Sequence, residues 1–234
     1  MFGRIILTAL AAGLISGVFI WGAHMVKTTP LILAAEVYED QAAGHQPTPA
    51  NPEQAPAAQP EEAWAPADGF ERGAFTLLMD ALTGIGFAFL LAGAISLSGR
   101  PIDWRRGVLW GLAGFAAFFA APSFGLAPEL PGMQAGDLGA RQAWWLATAV
   151  LTAGGLSLLA FTPRPLMKGL GVALILLPHA IGAPAHEIGA DMVAGNVPAE
   201  MAAEFAIATL VVTGLFWAFL GGLTGYFYNR FERP

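Results

Sequence analysis

Apolar residues fall in six blocks along this chain, and prolines, glycines and charges collect between them. The first block, Ile5 to Val26, runs for 22 residues. As a helix it is long enough to cross a hydrocarbon core of about 30 Å. It exceeds the roughly 7–15 apolar residues of a secretory leader and has no small-x-small site behind it, so an uncleaved span is expected. Ala9, Gly13 and Gly17 fall four apart on it and permit close helix packing, as do the pairs Gly107/Gly111 and Gly221/Gly225 further on.

The later blocks are Ala74 to Ser98, Gly107 to Ala121 (stopping at Pro122), Ala143 to Phe161, Gly169 to Ile181 and Phe205 to Tyr228. Trp144 and Trp145 open the fourth span with the aromatic pair typical of a membrane interface. The fifth block is short and is interrupted by Pro178. The pattern predicts an all-α integral membrane protein with six transmembrane helices, or five if the short block is discarded. It divides the chain into a first transmembrane helix (1–27), an acidic outer loop (28–73) and a five-helix remainder (74–234). Within that loop, Ala42 to Ala67 is rich in Ala, Pro and Gln and buries too little apolar surface to offset its ordering entropy. It reads as a mobile spacer.

Composition agrees with the pattern. Of 234 residues, 56% are hydrophobic and 12% charged, where a soluble domain carries about 25% charged residues. Cysteine is absent, which removes disulfides, thiolate metal sites and thiol nucleophiles. A net charge of −6 with no basic stripe excludes a nucleic-acid partner.

Charge also orients the spans. Arg4, Arg100, Arg105, Arg106, Arg164, Lys168, Arg230 and Arg233 fall on one side, against Lys27, Arg72 and Arg141 on the other. The positive-inside rule then predicts six spans with both termini cytoplasmic, whereas five would put Arg230 and Arg233 outside. This orientation carries His24, His45, His179 and His186 to the outer face, along with most carboxylates. Asp80 lies within the second span, where a carboxylate costs about 2.5–3.5 kcal/mol to insert and is functional by default. Pairing with Lys27, Arg72 or Arg141 is its structural alternative.

Imidazole and carboxylate together suit Co²⁺, Ni²⁺, Zn²⁺ or Fe²⁺. The stretch Leu177 to Asp191 concentrates this chemistry, with His179, His186, Glu187 and Asp191 around breaks at Pro178, Gly182, Pro184 and Gly189. The expected metal-handling residues are His179, His24, Asp80, His186 and Glu187. Glu200 and Glu204 precede a helix, where carboxylates serve its dipole without a ligand. No phosphate-cradling Gly-Lys loop, no His-Glu-x-x-His and no Gly-x-Ser-x-Gly is present, so no ATP site, zinc-protease helix or nucleophile elbow is expected. An enzyme is therefore not expected.

Two passages resemble a known family. Phe124-Gly-Leu-Ala-Pro-Glu-Leu-Pro-Gly-Met, continuing through Asp137-Leu-Gly-Ala-Arg-Gln-Ala-Trp-Trp, resembles the loop between the third and fourth spans of the CbtA family. Leu177-Pro-His-Ala-Ile-Gly-Ala-Pro resembles that family's Pro-His-x-Ile-Gly-Ala-Pro segment. The resemblance extends over essentially the whole chain. It implies an inner-membrane subunit of a Co²⁺ uptake transporter linked to cobalamin synthesis, with no bound cofactor. It also implies a CbtB-like single-span partner with a histidine-rich end. Homo-oligomerisation is a further possibility, and a non-transporting scaffold or metal sensor is the alternative function. Glu129 and Arg141 would pair at the outer mouth and brace the loop against the fourth span.

Overall fold

The computed structural model describes residues 1–44, 64–133, 136–184 and 197–231. Among the described residues there are eight α-helices and one π-helical turn, and no strand. Four of the helices are long and apolar enough to cross a membrane: α1 (Phe2–Lys27), α3 (Phe70–Ser98), α6 (Leu138–Phe161) and α8 (Ala199–Arg230). Between α3 and α6 lie α4 (Trp104–Phe115), a π-helical turn (Ala116–Ala120) and a short α5 (Ala121–Ser123). Together these three pieces form one continuous rod that occupies the expected third span. The short apolar α7 (Pro165–Ile181) stands in the place of the fifth.

Two local expectations need correction. The 28–73 segment, expected as an outer loop, is helical over Thr29–Gly44, which forms α2. Leu31, Ile32 and Ala35 recur at helical spacing, and they pack with Leu130, Met133, Val197, Met201 and Phe205 into a small apolar cluster. Pro30 sits in the first turn, where its missing N–H costs nothing. Most of the Ala42–Ala67 stretch lies outside the described residues. Pro178, expected to break α7, lies inside it, and the helix runs on to Ile181. A proline withdraws the donor that the carbonyl four residues earlier would use, so its disturbance falls on the preceding turn. The actual stop is Gly182, at φ 90°.

Glycine sets how closely the helices approach. A Cβ on Gly13 would collide with the Ile85 backbone, and one on Gly17 with the backbone of Ala81, so α1 and α3 lie backbone to backbone. The two other glycine pairs find each other. Gly107 and Gly111 of α4 meet Gly221 and Gly225 of α8 with no room for a methyl group. Around these contacts Trp217 and Leu220 of α8 are buried with Ala9, Ala12, Ala88 and Leu91. Trp217 packs against Phe87 (4.6 Å between ring centroids) and stacks on Phe118 (5.7 Å). The core is therefore α1, α3, α4 and α8, with α7 held at the periphery on α6.

The bundle has two chemically distinct ends. At the basic end, Arg4 donates from Nε to the Tyr228 carbonyl at 2.6 Å with its guanidinium over the Tyr228 ring, so the start of α1 meets the end of α8. Arg100 lies over Phe161 at the same end, and the Asp103 carboxylate caps α4 by accepting from the Arg106 N–H. The opposite end carries α2, the 124–137 connection and the start of α8, with their carboxylates.

Candidate metal site at the acidic end

His24 lies in the last turn of α1, and α3 runs antiparallel beside it. The close glycine approach between these helices brings Asp80 of α3 next to His24. Nδ1 of His24 is 3.2 Å from Oδ2 of Asp80, with the two side chains 27% and 16% exposed. Asp80 therefore pairs with a histidine rather than with Lys27, Arg72 or Arg141. In the tautomer whose Nδ1 donates to the Asp80 carboxylate, the neutral imidazole presents Nε2 as its lone pair.

A cavity of about 690 Å³ adjoins His24. His24, Met25 and Thr28 line one side, Thr76 and Arg72 another, and Phe205 and Thr209 of α8 a third. The Thr209 hydroxyl is buried and has no hydrogen-bond partner among the described residues, so it is a polar atom available to whatever enters. Thr28 and Thr76 are already engaged with the carbonyls of His24 and Arg72. The guanidinium of Arg72 is held by Glu36 of α2 and by Asp68 at 3.1 Å. Those contacts tie α2 across the start of α3 and cancel a positive charge at the cavity wall. Trp21 donates to the Gly73 carbonyl at 2.9 Å, a further tie between α1 and α3.

His179 has different surroundings. It sits in the last turn of α7, edge-on to Phe124 (6.2 Å) and Trp144 (6.0 Å). Trp144 Nε1 donates to the Pro178 carbonyl at 3.3 Å, holding this end of α7 on α6. No carboxylate pairs with His179 among the described residues. The Glu129–Arg141 pair does form as expected, at 2.6 Å, and braces the connection to the start of α6. His186, Glu187, Asp191 and His45 lie outside the described residues.

The structure thus unites two of the five expected metal residues, His24 and Asp80, and places His179 apart from them. Among the described residues no three His or carboxylate side chains converge as a preformed metal cage. What the pair offers is one oriented imidazole backed by a carboxylate, the arrangement in which metal-ligating histidines are commonly held. Sequence reasoning missed Thr209 and the α2 wall of the cavity. The helical spacing of Leu31, Ile32 and Ala35 is the one signal for α2 that went unread, and nothing in the sequence marked Thr209 among the apolar residues of α8.

A family model described as "Probable cobalt transporter subunit (CbtA)" matches residues 2–229. No curated protein and no solved structure matches the chain.

Proposed function

The chain belongs to this family of probable cobalt transporter subunits, and from that premise we propose that its cargo, Co²⁺, is first held at the His24–Asp80 pair. The observation that carries the reading is the 3.2 Å contact between Nδ1 and Oδ2 beside a cavity at the acidic end. Asp80 acts through His24. By accepting from Nδ1 it directs Nε2 as the ligand and raises its basicity, while the carboxylate charge offsets that of the cation. Thr209 and Met25 add a hydroxyl and a thioether, and water completes the shell. Such a shallow, incomplete ligand set suits a cargo that must leave again.

In this reading six helices span the cell's inner membrane with both termini cytoplasmic, and the acidic end faces outward. The composite α4–α5 rod and α7 count as the third and fifth spans. Carboxylates at that end raise the local concentration of divalent cations. His179, with His186 and Glu187 beyond it, serves as a separate capture point feeding the cavity. A CbtB-like partner with terminal histidines supplies further ligands, and the cobalt is destined for cobalamin synthesis.

The test is cobalt accumulation by cells carrying the chain, with and without that partner, against cells carrying Asp80→Asn at equal membrane levels. Loss of accumulation in Asp80→Asn is expected. Accumulation at the wild-type rate would overturn the role given to the pair. Cobalt bound to the protein without entry into the cell would favour a scaffold or sensor.

A further inference from the structure

A second cavity of about 690 Å³ lies toward the basic end, between α3, α4, α6 and α8. Leu109, Trp110, Leu156 and Phe161 form its apolar wall, and Arg100 and Arg106 line it at the end nearest the α3–α4 connection. Its flank is open, since Leu90 is 56% and Leu109 66% exposed. Trp104, also exposed, opens α4 beside the arginines at the level where tryptophans mark a membrane interface. An apolar chamber with two cations at one end is the complement of an amphiphile with an anionic head.

The arginines are placed for an external anion. Arg106 Nη1 donates to the Pro101 carbonyl at 2.7 Å, and Arg100 lies over the Phe161 ring at 4.5 Å. Neither guanidinium pairs with a carboxylate among the described residues. Asp103 between them is engaged by its capping bond to the Arg106 N–H. Most of the ten N–H donors that two guanidiniums carry are therefore open to a phosphate, which arginine binds in bidentate fashion.

We propose that this cavity is a binding site for an anionic phospholipid, with its phosphate between Arg100 and Arg106 and one acyl chain along Trp110, Leu156 and Phe161. A transmembrane helix is about 10–12 Å across with its side chains. The cavity is instead in the size range of small-ligand pockets, roughly 300–1,000 Å³. Basic pockets between helices on the cytoplasmic side are suited to such headgroups, and the site is independent of the metal pair at the other end.

The experiment is lipid retention by the full chain, purified from nanodiscs of equimolar phosphatidylglycerol and phosphatidylcholine and read by native mass spectrometry. Wild type is expected to retain phosphatidylglycerol preferentially, and the double variant Arg100→Gln/Arg106→Gln to lose that preference about tenfold. Arg105→Gln, which removes a neighbouring cation outside the cavity, is expected to retain it. Leu109→Trp, which fills the open flank and leaves both charges, is expected to release the lipid. Equal retention of the two lipids by wild type would overturn the proposal. So would an unchanged preference in the double variant, or a loss in Arg105→Gln as large as the double variant's. A polypeptide that co-purifies in place of lipid and is lost with Leu109→Trp would also overturn it, in favour of a partner helix.

Discussion

His24 and His179 each sit in the last turn of an apolar helix, and from the sequence they look equivalent. The fold gives them different neighbours. The glycine seam draws α1 and α3 together so tightly that His24 meets Asp80 at 3.2 Å, beside a cavity. His179 is on a peripheral helix and meets the edges and faces of Phe124 and Trp144. A carboxylate fixes a tautomer and backs a cation, whereas aromatic rings mainly fix position. The same side chain is thus held by a carboxylate in one place and by aromatic rings in the other.

That contrast can be broken most directly at Asp80. Asp80→Asn keeps the shape but withdraws the negative charge, and cobalt affinity is expected to fall 10- to 100-fold, as for other carboxylates that orient a metal-binding histidine. Titration of Co²⁺ into the purified chain in nanodiscs measures it.

The seam beneath the pair offers the next largest effect. Gly17→Leu would push its side chain into the Ala81 backbone, one residue from Asp80. Separation of His24 from Asp80 is expected, with cobalt binding reduced about as far as in Asp80→Asn and a fall in thermal stability of about 1–3 kcal/mol from overpacking. Gly22→Leu, at a position with open space around it, should change neither.

At the other histidine the expected effects are smaller. Glu129→Gln leaves Arg141 half-satisfied and should lower stability by about 1–3 kcal/mol, read by thermal unfolding in nanodiscs, with cobalt affinity intact. Trp144→Phe removes the bond to the Pro178 carbonyl and should cost about 1 kcal/mol. A large loss of cobalt binding in Trp144→Phe would erase the distinction between the two histidines.

Much of this arrangement is legible in the sequence because lipid imposes strong rules. Runs of apolar residues located the helices to within a few positions, and the split of arginines from carboxylates anticipated the two ends of the bundle. The Gly13/Gly17, Gly107/Gly111 and Gly221/Gly225 spacings correctly marked contact faces. Which face meets which is a matter of tertiary packing, and so the sequence offered Lys27, Arg72 and Arg141 as partners of Asp80 but not His24. Helix α2 escaped notice because its apolar stripe is only three residues deep and its acidic face resembles the spacer that follows. Pro178 misled for a physical reason: its effect falls on the turn before it, and glycine, not proline, ends α7. Most of the chemistry in the stretch from Leu177 to Asp191 lies outside the described residues, and the pair that the structure brings together joins residues 56 apart in sequence.

In the proposed function His24, backed by Asp80, handles the metal and His179 is secondary. Cobalt accumulation in cells producing the wild type, His24→Ala and His179→Ala at equal membrane levels compares them directly. At least a tenfold loss is expected for His24→Ala, with His179→Ala close to wild type. Wild-type accumulation in His24→Ala, or a greater loss in His179→Ala, would overturn the role given to His24.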